Sequence, residues 1–279
     1  MSIEAWLAEH ATRDTLGPQA ERVAQVLVRA PQFASYSSAR EIAERAGVNV
    51  STVVRTAQQL GFEGWPQLRE ELRALYLASV SSGDISLGPA AAADPAAQMV
   101  RQDANNVVAL ATSDNLAAIR ATARAIKAAR HTLIISSGSG AGPAHILSYL
   151  GTIGGHDIRL SLGSSTTQAV DVARLEKGDC LITINIWRLT RTLRGLTRLA
   201  RDRGATVCVL TDLRTSPLAG DADHLILTPI EATHAGPSLT GVVAAIQAIL
   251  SELADDDAIR ASGRIQQMWQ DLDLMDDQP

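Results

Sequence analysis

Between residues 38 and 60 the apolar positions repeat with the period of an α-helix in two short stretches. In the first stretch Ile42, Ala43 and Ala46 share one face. In the second stretch one face carries the apolar residues Val50, Val53, Val54, Ala57 and Leu60. Gly47 separates the two stretches, so the pattern predicts two short helices around a tight turn, the helix-turn-helix arrangement.

The ends of these two helices are also marked in the sequence. Ser38 and Glu41 have the spacing of a capping box at the start of the first helix. Gly47 suits the left-handed residue that often follows a helix, and Asn49 is the expected cap of the second helix. The sequence therefore predicts where each helix begins and where the turn lies.

The polar face of the second helix carries no acidic residue that would repel DNA phosphates. Arginine can bind guanine, glutamine can bind adenine, and hydroxyls suit bases or phosphates. An ordinary solvated helix face has a similar composition, so both interpretations stay open. The predicted DNA-binding residues, which include one arginine of the first helix, are Arg40, Asn49, Ser51, Thr52, Arg55, Gln58 and Gln59.

From about residue 98 onward, short apolar runs alternate with helical patterns. The runs at 132–136, 157–162, 180–185, 206–211 and 224–228 predict five strands. Such alternation predicts an α/β fold, here a five-stranded doubly wound parallel sheet with helices on both faces. Helices are expected at 96–112 and 114–129, the second capped by Asp114.

The chain is thus predicted to have four parts. A helical domain covers residues 1–77, and a linker rich in small residues covers 78–97. The sheet domain covers 98–254, and an acidic tail covers 255–279. In the tail, one helical stripe that could dock on the domain or on a partner subunit is formed by Ile259, Ile265, Met268, Trp269 and Leu272.

Composition narrows the possible classes of protein. No apolar run approaches a membrane span, and the first residues lack the pattern of a signal peptide, so a cytoplasmic protein is expected. Cys180 and Cys208 lie in predicted strands, which favours buried thiols over a disulfide or a metal site. No cofactor motif is present.

Residues 1–77 hold eight arginines and nine acidic residues, so DNA binding would need local placement of arginines and at least two copies.

Two segments of the amino-terminal domain resemble a known family. Residues 46–55 are Ala-Gly-Val-Asn-Val-Ser-Thr-Val-Val-Arg, and residues 59–69 are Gln-Leu-Gly-Phe-Glu-Gly-Trp-Pro-Gln-Leu-Arg. Both resemble the amino-terminal domain of RpiR-type bacterial regulators. Asn49 stands where that family usually has serine, and both residues cap helices well.

The sheet domain resembles the sugar isomerase (SIS) domain, the usual effector domain of RpiR-type regulators. The similarity lies in three places: Leu-Glu-Lys-Gly-Asp at 175–179, Asp212 followed by Ser-Pro-Leu at 216–218 within the segment 203–219, and Ala222-Asp223. The resemblance covers residues 18 to 254 and implies a flavodoxin-like fold. It also implies an effector that is a carbohydrate derivative or a sugar phosphate.

The glycine-rich loop at 136–143 is expected at the ligand-binding edge of the sheet. Its spacing does not match a dinucleotide site, and it lacks the lysine of a nucleotide P-loop. An anion site at a helix amino terminus and a simple packing turn both remain open.

The chain departs from the family where the sugar phosphate would bind. After the third strand the family has serine-x-serine-glycine-x-threonine, whereas residues 185–190 are Asn-Ile-Trp-Arg-Leu-Thr. Arg188 can hold an anion in place of the lost hydroxyls, and Trp187 can stack on a ring. Alternatively Trp187 packs in a dimer interface and the arginines of 188–203 are solvated. The predicted effector-binding residues are Ser137, Gly138, Ser139, Ser164, Ser165, Thr166, Asn185, Arg188 and Thr190.

These observations predict a transcriptional regulator without enzymatic activity. It would bind a double-stranded operator as a homodimer or homotetramer, respond to a small anionic metabolite, and act, by analogy, as a repressor. One alternative is a phosphosugar isomerase that uses Glu231 and His234 after the fifth strand. Another is a regulator whose SIS domain only dimerises.

Overall fold

A computed structural model describes residues 6, 16–79, 94–214, 216–233 and 236–276, with backbone only at 32, 74 and 77–79. The chain divides into two units, residues 1–88 and 89–279. Each unit is described by itself.

The described part of the first unit is helical and packs around its own core. Its main helices are α1 (Pro18–Arg29), α2 (Pro31–Tyr36), α3 (Ala39–Ala46), α4 (Val50–Gln59) and α5 (Trp65–Ser79). The largest buried side chains, Leu27, Ile42, Leu68 and Leu72, come from α1, α3 and α5. Val53 and Ala57 of α4 join the same core. The apolar period of each helix thus faces one shared interior.

Helices α3 and α4 form the predicted helix-turn-helix. Ser38 and Glu41 make both hydrogen bonds of the capping box, and Gly47 is left-handed with φ 65°. The predicted inner face of α3 is buried, as expected. Asn49 stands at the N-cap of α4, but its side chain makes no capping hydrogen bond. Val50 was expected on the apolar face and is instead 44% exposed, because it lies in the first turn, beyond the packing of α3.

The second unit contains the predicted five-stranded parallel sheet. Its strands are β1 (Thr132–Ser136), β2 (Ile158–Ser161), β3 (Cys180–Asn185), β4 (Thr206–Thr211) and β5 (His224–Leu227). Their order is β2-β1-β3-β4-β5, the flavodoxin-like order with the switch point between β1 and β3. The helices are α6 (Pro95–Leu110), α7 (Ser113–Ala128), α8 (Ala141–Ile153), α9 (Ser165–Ala173), α10 (Arg191–Asp202), α11 (Thr240–Leu253) and α12 (Asp256–Asp271).

The strands bury side chains on both faces, as a parallel sheet between two helical layers must. Ile182 and Cys208 belong to the core that includes residues of α7, α8 and α11. Leu181 and Val209 belong to the core that includes residues of α9 and α10. Both cysteines are buried free thiols, as expected from the sequence.

The start of α7 differs from the sequence-based expectation. Thr112, not Asp114, caps this helix, because the Thr112 side chain accepts the amide of Asn115. The buried Asn115 side chain then donates to the carbonyl oxygen of Leu227 and accepts its amide, at 3.0 and 2.9 Å. Asn115 thereby provides hydrogen-bond partners for the main-chain amide and carbonyl groups of Leu227, the last residue of the edge strand β5.

The ends of this unit show less packing. Helix α12 buries Ala261 but leaves Ile259, Met268 and Leu272 between 48% and 67% exposed, so most of the predicted stripe has no described cover.

The greater part of the predicted linker, residues 80–93, lies outside the described residues, as do His234 and the last three residues. No helix in the described ranges is long and apolar enough to span a membrane.

Candidate functional site

The first candidate surface is the outward face of α4. Asn49, Ser51, Arg55, Gln58 and Gln59 are all exposed there. No carboxylate of the described residues forms an ion pair with Arg55, so its guanidinium is available to a ligand. The sequence of α4 places an acid-free polar face toward solvent, which is the arrangement that direct contact with DNA requires.

Three predicted DNA-binding residues have partners within the protein. The Gln58 amide donates to the carbonyl oxygen of Glu63 over 3.5 Å, a long hydrogen bond. The Thr52 hydroxyl lies 3.2 Å from Oε1 of Gln19 in α1. Arg40 forms an ion pair with Glu44 at 3.0 Å, and both side chains are largely exposed. Because an exposed i,i+4 pair is weak, Arg40 is only lightly restrained. Arg45 is positioned differently, with its guanidinium 4.4 Å from the ring centroid of Phe33.

The second candidate site lies at the carboxyl edge of the sheet, where the loop after β1 meets the loop after β3. The buried Ser136 hydroxyl donates to the carbonyl oxygen of Ile184 at 2.8 Å. The Ser139 hydroxyl donates to the carbonyl oxygen of Ile186 at 3.1 Å. Both serines therefore join the two loops, and Ser139 is less available to a ligand than the sequence suggested. Gly138 has a φ of 57°, which favours glycine at the bend.

Two helix amino termini converge beside these loops. Ser164 caps α9 by accepting the amide of Thr167, and Thr190 caps α10 by accepting the amide of Leu193. The hydroxyls of Ser165 and Thr192 are 3.2 Å apart and bring the two helix starts together. A helix start carries a partial positive charge, so the convergence favours an anion. Thr190 and Ser164 hold the helix ends and have less capacity for a ligand.

The loop after β3 has an unusual backbone at Trp187. This residue has a φ of 77°, a left-handed conformation that is rare for a bulky side chain. Its amide donates to Oδ1 of Asp212, at the end of β4, over 3.1 Å. The Arg188 guanidinium lies 5.9 Å from the Trp187 ring centroid, and its Nε atom is buried. The buried Nε atom and the neighbouring Trp187 ring therefore limit the directions in which the Arg188 guanidinium can point.

Beneath this loop lie buried polar atoms. Asn185 is 3% exposed and Thr211, its register partner on β4, is fully buried. Neither Oδ1 of Asn185 nor Oγ1 of Thr211 has a hydrogen-bond partner among the described residues. Gln168 is buried at the carboxyl ends of β1 and β2, where its side-chain amide donates to the carbonyl oxygens of Ser136 and Ser161. Orphaned buried atoms are uncommon and point to a place where a polar molecule is accommodated.

The structure thus brings Ser139, Asn185 and Arg188 to the loops after β1 and β3, and Ser165 and Thr190 to the adjoining helix starts. Ser137 and Gly138 line the bend, and the exposed Thr166 hydroxyl lies 2.8 Å from that of Ser164. Sequence reasoning missed Asp212, Thr211 and Gln168. Thr211 and Asp212 stand at the carboxyl end of an apolar run, and this position could have indicated that they belong to the site.

A separate charged cluster lies at the start of β1 and β2. His131 Nδ1 is 2.5 Å from Oδ2 of Asp157, whose other oxygen accepts from Arg159. The hydrogen bond from His131 lowers the pKa of Asp157, and Arg159 adds to the effect. Within the described ranges, no group of three or more His, Cys, Asp or Glu side chains is arranged to hold a metal ion.

Comparison with protein families finds one match in each unit. The helix-turn-helix domain of the rpiR family matches residues 10–79. The SIS domain matches residues 163–254. The two matches occur in the order that the sequence predicted.

Individual proteins give the same result. HexR, a helix-turn-helix transcriptional regulator of Pseudomonas aeruginosa, is 29% identical over 216 residues, covering 74% of this chain and 72% of its own length. NanR of Vibrio vulnificus, solved in complex with ManNAc-6P, matches over 99% of this chain and 100% of its own, with a TM-score of 0.62 and 15% identity. The sugar isomerase domain of an RpiR transcription factor from Sphaerobacter thermophilus covers 64% of this chain and 98% of its own, with a TM-score of 0.57 and 24% identity. The two solved structures share the fold.

The alternative of an isomerase is not supported, because residues 10–79 match the helix-turn-helix domain of the rpiR family and the relative HexR is a transcriptional regulator. The chain is therefore an RpiR-type transcriptional regulator, with an amino-terminal helix-turn-helix domain and a carboxy-terminal SIS domain.

Proposed function

We propose that this regulator binds a palindromic operator by inserting α4 into the major groove, with Arg55, Gln58 and Gln59 as the base-contacting residues. The observation that carries the proposal is the exposed, acid-free face of α4. Ser51 and Asn49 lie at the amino end of the same helix, where hydroxyl and amide groups suit phosphates or bases.

Charge supports binding by more than one copy. Residues 1–77 have a net charge of −1, so a single domain gains little from the general attraction of DNA for cations. Two copies double the number of phosphate contacts and read two half-sites one helical turn apart. The proposal therefore includes a homodimer or a larger even assembly as the DNA-binding form.

A gel-shift experiment on DNA upstream of the protein's own coding sequence tests this proposal. Arg55→Ala removes a base contact and should weaken specific binding roughly 5- to 150-fold, the equivalent of about 1–3 kcal/mol. Arg29→Ala is the matched control, because Arg29 is also exposed but lies at the end of α1. Equal shifts for the wild type and both variants would count against α4 as the reading helix.

The sheet domain is proposed to bind a small anionic metabolite at its carboxyl edge. The starts of α9 and α10 supply partial positive charge, and Arg188 supplies a full one. Asn185 and Thr211 offer buried polar atoms to the remainder of the molecule. NanR, which shares the fold, binds ManNAc-6P, and this supports a carbohydrate derivative as the class of effector.

Regulation requires that the metabolite bind one DNA-binding state more tightly than the other. We propose repression relieved by the metabolite, because a bound regulator that overlaps a promoter blocks it without further contacts. In vitro transcription with and without the metabolite tests the sign, and activation of transcription by the bound protein would overturn it.

A thermal-shift panel tests the effector site. It compares sugar phosphates, amino-sugar derivatives and non-sugar carboxylates on the wild type, on Arg188→Ala and on the control Arg198→Ala, an exposed arginine of α10. Anionic compounds should raise the melting temperature of the wild type and of the control, and Arg188→Ala should lose most of that rise. If phosphosugars alone stabilise the protein and Arg188→Ala responds like the wild type, the assignment of Arg188 is wrong.

A further inference from the structure

Helix α10 carries three exposed arginines in one row. They are Arg191, Arg194 and Arg198, and their spacing of three and four residues places them on one side of the helix over roughly 10 Å. Residues 188–203 hold six arginines and one acidic residue, whereas the whole chain has a net charge of −5. Positive charge is therefore concentrated on this helix. We call Arg191, Arg194 and Arg198 the arginine row.

The arginine row has no hydrogen-bond or ion-pair partner among the described residues, unlike the arginines that follow it. The Arg201 guanidinium donates to the carbonyl oxygen of Gly220 and lies 3.8 Å from Oδ1 of Asp221. Nε of Arg203 donates to the carbonyl oxygen of Leu175 over 2.6 Å. Arg201 and Arg203 therefore join α10 to neighbouring loops, whereas the arginine row leaves its three guanidinium groups available to a ligand.

Acidic residues close to the arginine row do not balance its charge. Asp171 of α9, the helix packed beside α10, accepts the Ser161 hydroxyl at 2.6 Å. Asp202 is the one acidic residue of α10 and stands four residues after Arg198, but it forms no ion pair with a described residue. Three exposed guanidinium groups therefore face a single carboxylate at the end of the helix, and the row presents positive charge to solvent.

The acidic residues at the start of α12 lie on the other side of the sheet. This helix begins beside Asp255, Asp256 and Asp257, and it packs on α8. The buried residues of α8 and α10 belong to different cores, so these two helices cover opposite faces of the sheet. A helix is about 10 Å wide, which separates the two groups of charges by roughly 20 Å or more. Since charges are screened over about 10 Å at 0.1 M salt, the aspartates do not cancel the arginine row.

The chemistry of the row fits the phosphate backbone of DNA. An arginine can donate two parallel hydrogen bonds to one phosphate, which a lysine cannot do. A DNA strand carries one phosphate per roughly 3.4 Å of helix axis, so a row of about 10 Å can contact two or three of them. The helix-turn-helix domain, by contrast, has a net charge of −1 over residues 1–77. The arginine row supplies the positive charge that the amino-terminal domain lacks.

We propose that the arginine row of the sheet domain binds the phosphate backbone of the same duplex that the helix-turn-helix domain binds. This inference rests on the proposed operator binding. Because the two domains belong to one chain, a duplex bound by α4 is held at a high effective concentration near the row. Phosphate contacts strengthen binding to any sequence by a similar factor, so α4 remains the source of specificity.

Fluorescence anisotropy of the full chain on two duplexes tests the proposal. One duplex is the DNA upstream of the protein's own coding sequence, and the other is an unrelated duplex of equal length. The row variant combines Arg191→Gln, Arg194→Gln and Arg198→Gln. At 0.1 M salt it should bind both duplexes roughly tenfold or more weakly than the wild type. The slope of log affinity against log salt concentration should become shallower by about 2–3 per copy, and the ratio of the two affinities should not change.

Two further variants control for charge and folding. The matched control combines Arg120→Gln, Arg124→Gln and Arg264→Gln, which removes the same charge from exposed arginines of α7 and α12. It should keep the affinity and the salt dependence of the wild type. Replacing the arginine row by three lysines preserves its charge and should preserve most of the salt slope. Circular dichroism melting checks that every variant folds.

The outcomes separate this proposal from the operator proposal. Arg55→Ala should lower the ratio of the two affinities and leave the salt slope nearly unchanged, whereas the row variant should do the reverse. The arginine row is not a DNA contact if its variant keeps the wild-type affinity and salt slope, or if the matched control loses as much. The proposal is also overturned if the row variant loses binding to a polyglutamate peptide but binds both duplexes normally, because the row would then bind an acidic protein.

Discussion

Gly140 in the loop after β1 lies in close contact with the end of β3, and replacing it with alanine tests the packing of the proposed effector site. A Cβ atom at this position would lie 2.5 Å from Oγ of Ser136 and 2.9 Å from the carbonyl oxygen of Ile184. Both distances are shorter than real Cβ contacts. Neither neighbour can move freely, because the Ser136 hydroxyl is itself hydrogen-bonded to the same carbonyl oxygen.

The cost of Gly140→Ala follows from this overlap. Forcing a methyl group into a packed site costs about 1–3 kcal/mol. In a domain of this size each kcal/mol lowers the melting temperature by about 2–4 °C. Calorimetry of the full chain should therefore show the transition of the sheet domain lowered by roughly 2–12 °C.

Gly195→Ala in α10 is the matched control. Outside its chain neighbours and the backbone of its own helix, no heavy atom lies within 4 Å of a Cβ placed there, and Gly195 is exposed. Alanine is the better helix former, so this variant should be unchanged or slightly more stable. Equal melting temperatures for the two variants would refute the close packing of the two loops.

Three further predictions concern the rest of the sheet domain. Asn115→Ala removes hydrogen bonds to the main chain of Leu227 and should cost about 2–4 kcal/mol in urea unfolding, whereas the exposed Asn105→Ala should cost less than about 0.5 kcal/mol. The hydrogen bond from His131 holds the pKa of Asp157 below its usual value. The ionised Asp157 therefore stabilises the fold above its unfolded pKa, which is near 4, and this contribution is lost as the pH falls through its lower folded pKa. Asp157→Asn should accordingly destabilise the protein slightly at pH 7 and not at about pH 2, as measured by unfolding midpoints at both values. Both native cysteines should resist a thiol reagent until the protein is unfolded, because the side chains are buried and the pKa of Cys180 is raised by its neighbour and by burial. Reaction of the native protein at the rate of a free thiol would contradict their burial.

The architecture follows from local patterns that a single sequence displays. The helical period and the caps at Ser38 and Gly47 define the helix-turn-helix, and both caps are observed. Three of the five strands have the predicted limits, β2 is shorter than predicted by one residue at each end, and β5 is shorter by one residue at its carboxyl end. Strand ends are harder to place, because the last residue that pairs depends on the neighbouring strand and not on its own side chain. The parallel order of the sheet follows from the alternation of strands and helices.

The geometry of the proposed effector site is harder to predict, because it depends on contacts between residues distant in sequence. The sequence predicts that the Ser139 hydroxyl binds the ligand, and in the structure this hydroxyl donates to the carbonyl oxygen of Ile186, which leaves it only as an acceptor for a ligand. Likewise, nothing near Trp187 in the sequence indicates its left-handed backbone, which Asp212 holds from the next strand. A turn rich in serine and threonine can cap a helix or bind an anion, and only the folded structure shows which groups remain available.

The central claim, that paired α4 helices read an operator, is tested most directly by selecting bound sequences from a pool of random DNA duplexes with the wild type and with Arg55→Ala. The wild type should enrich an inverted repeat whose half-sites are centred about one helical turn apart. Arg55→Ala should enrich the same repeat with its preference lost at one or two guanine positions in each half-site. No enriched repeat, or an identical preference from both proteins, would contradict the claim.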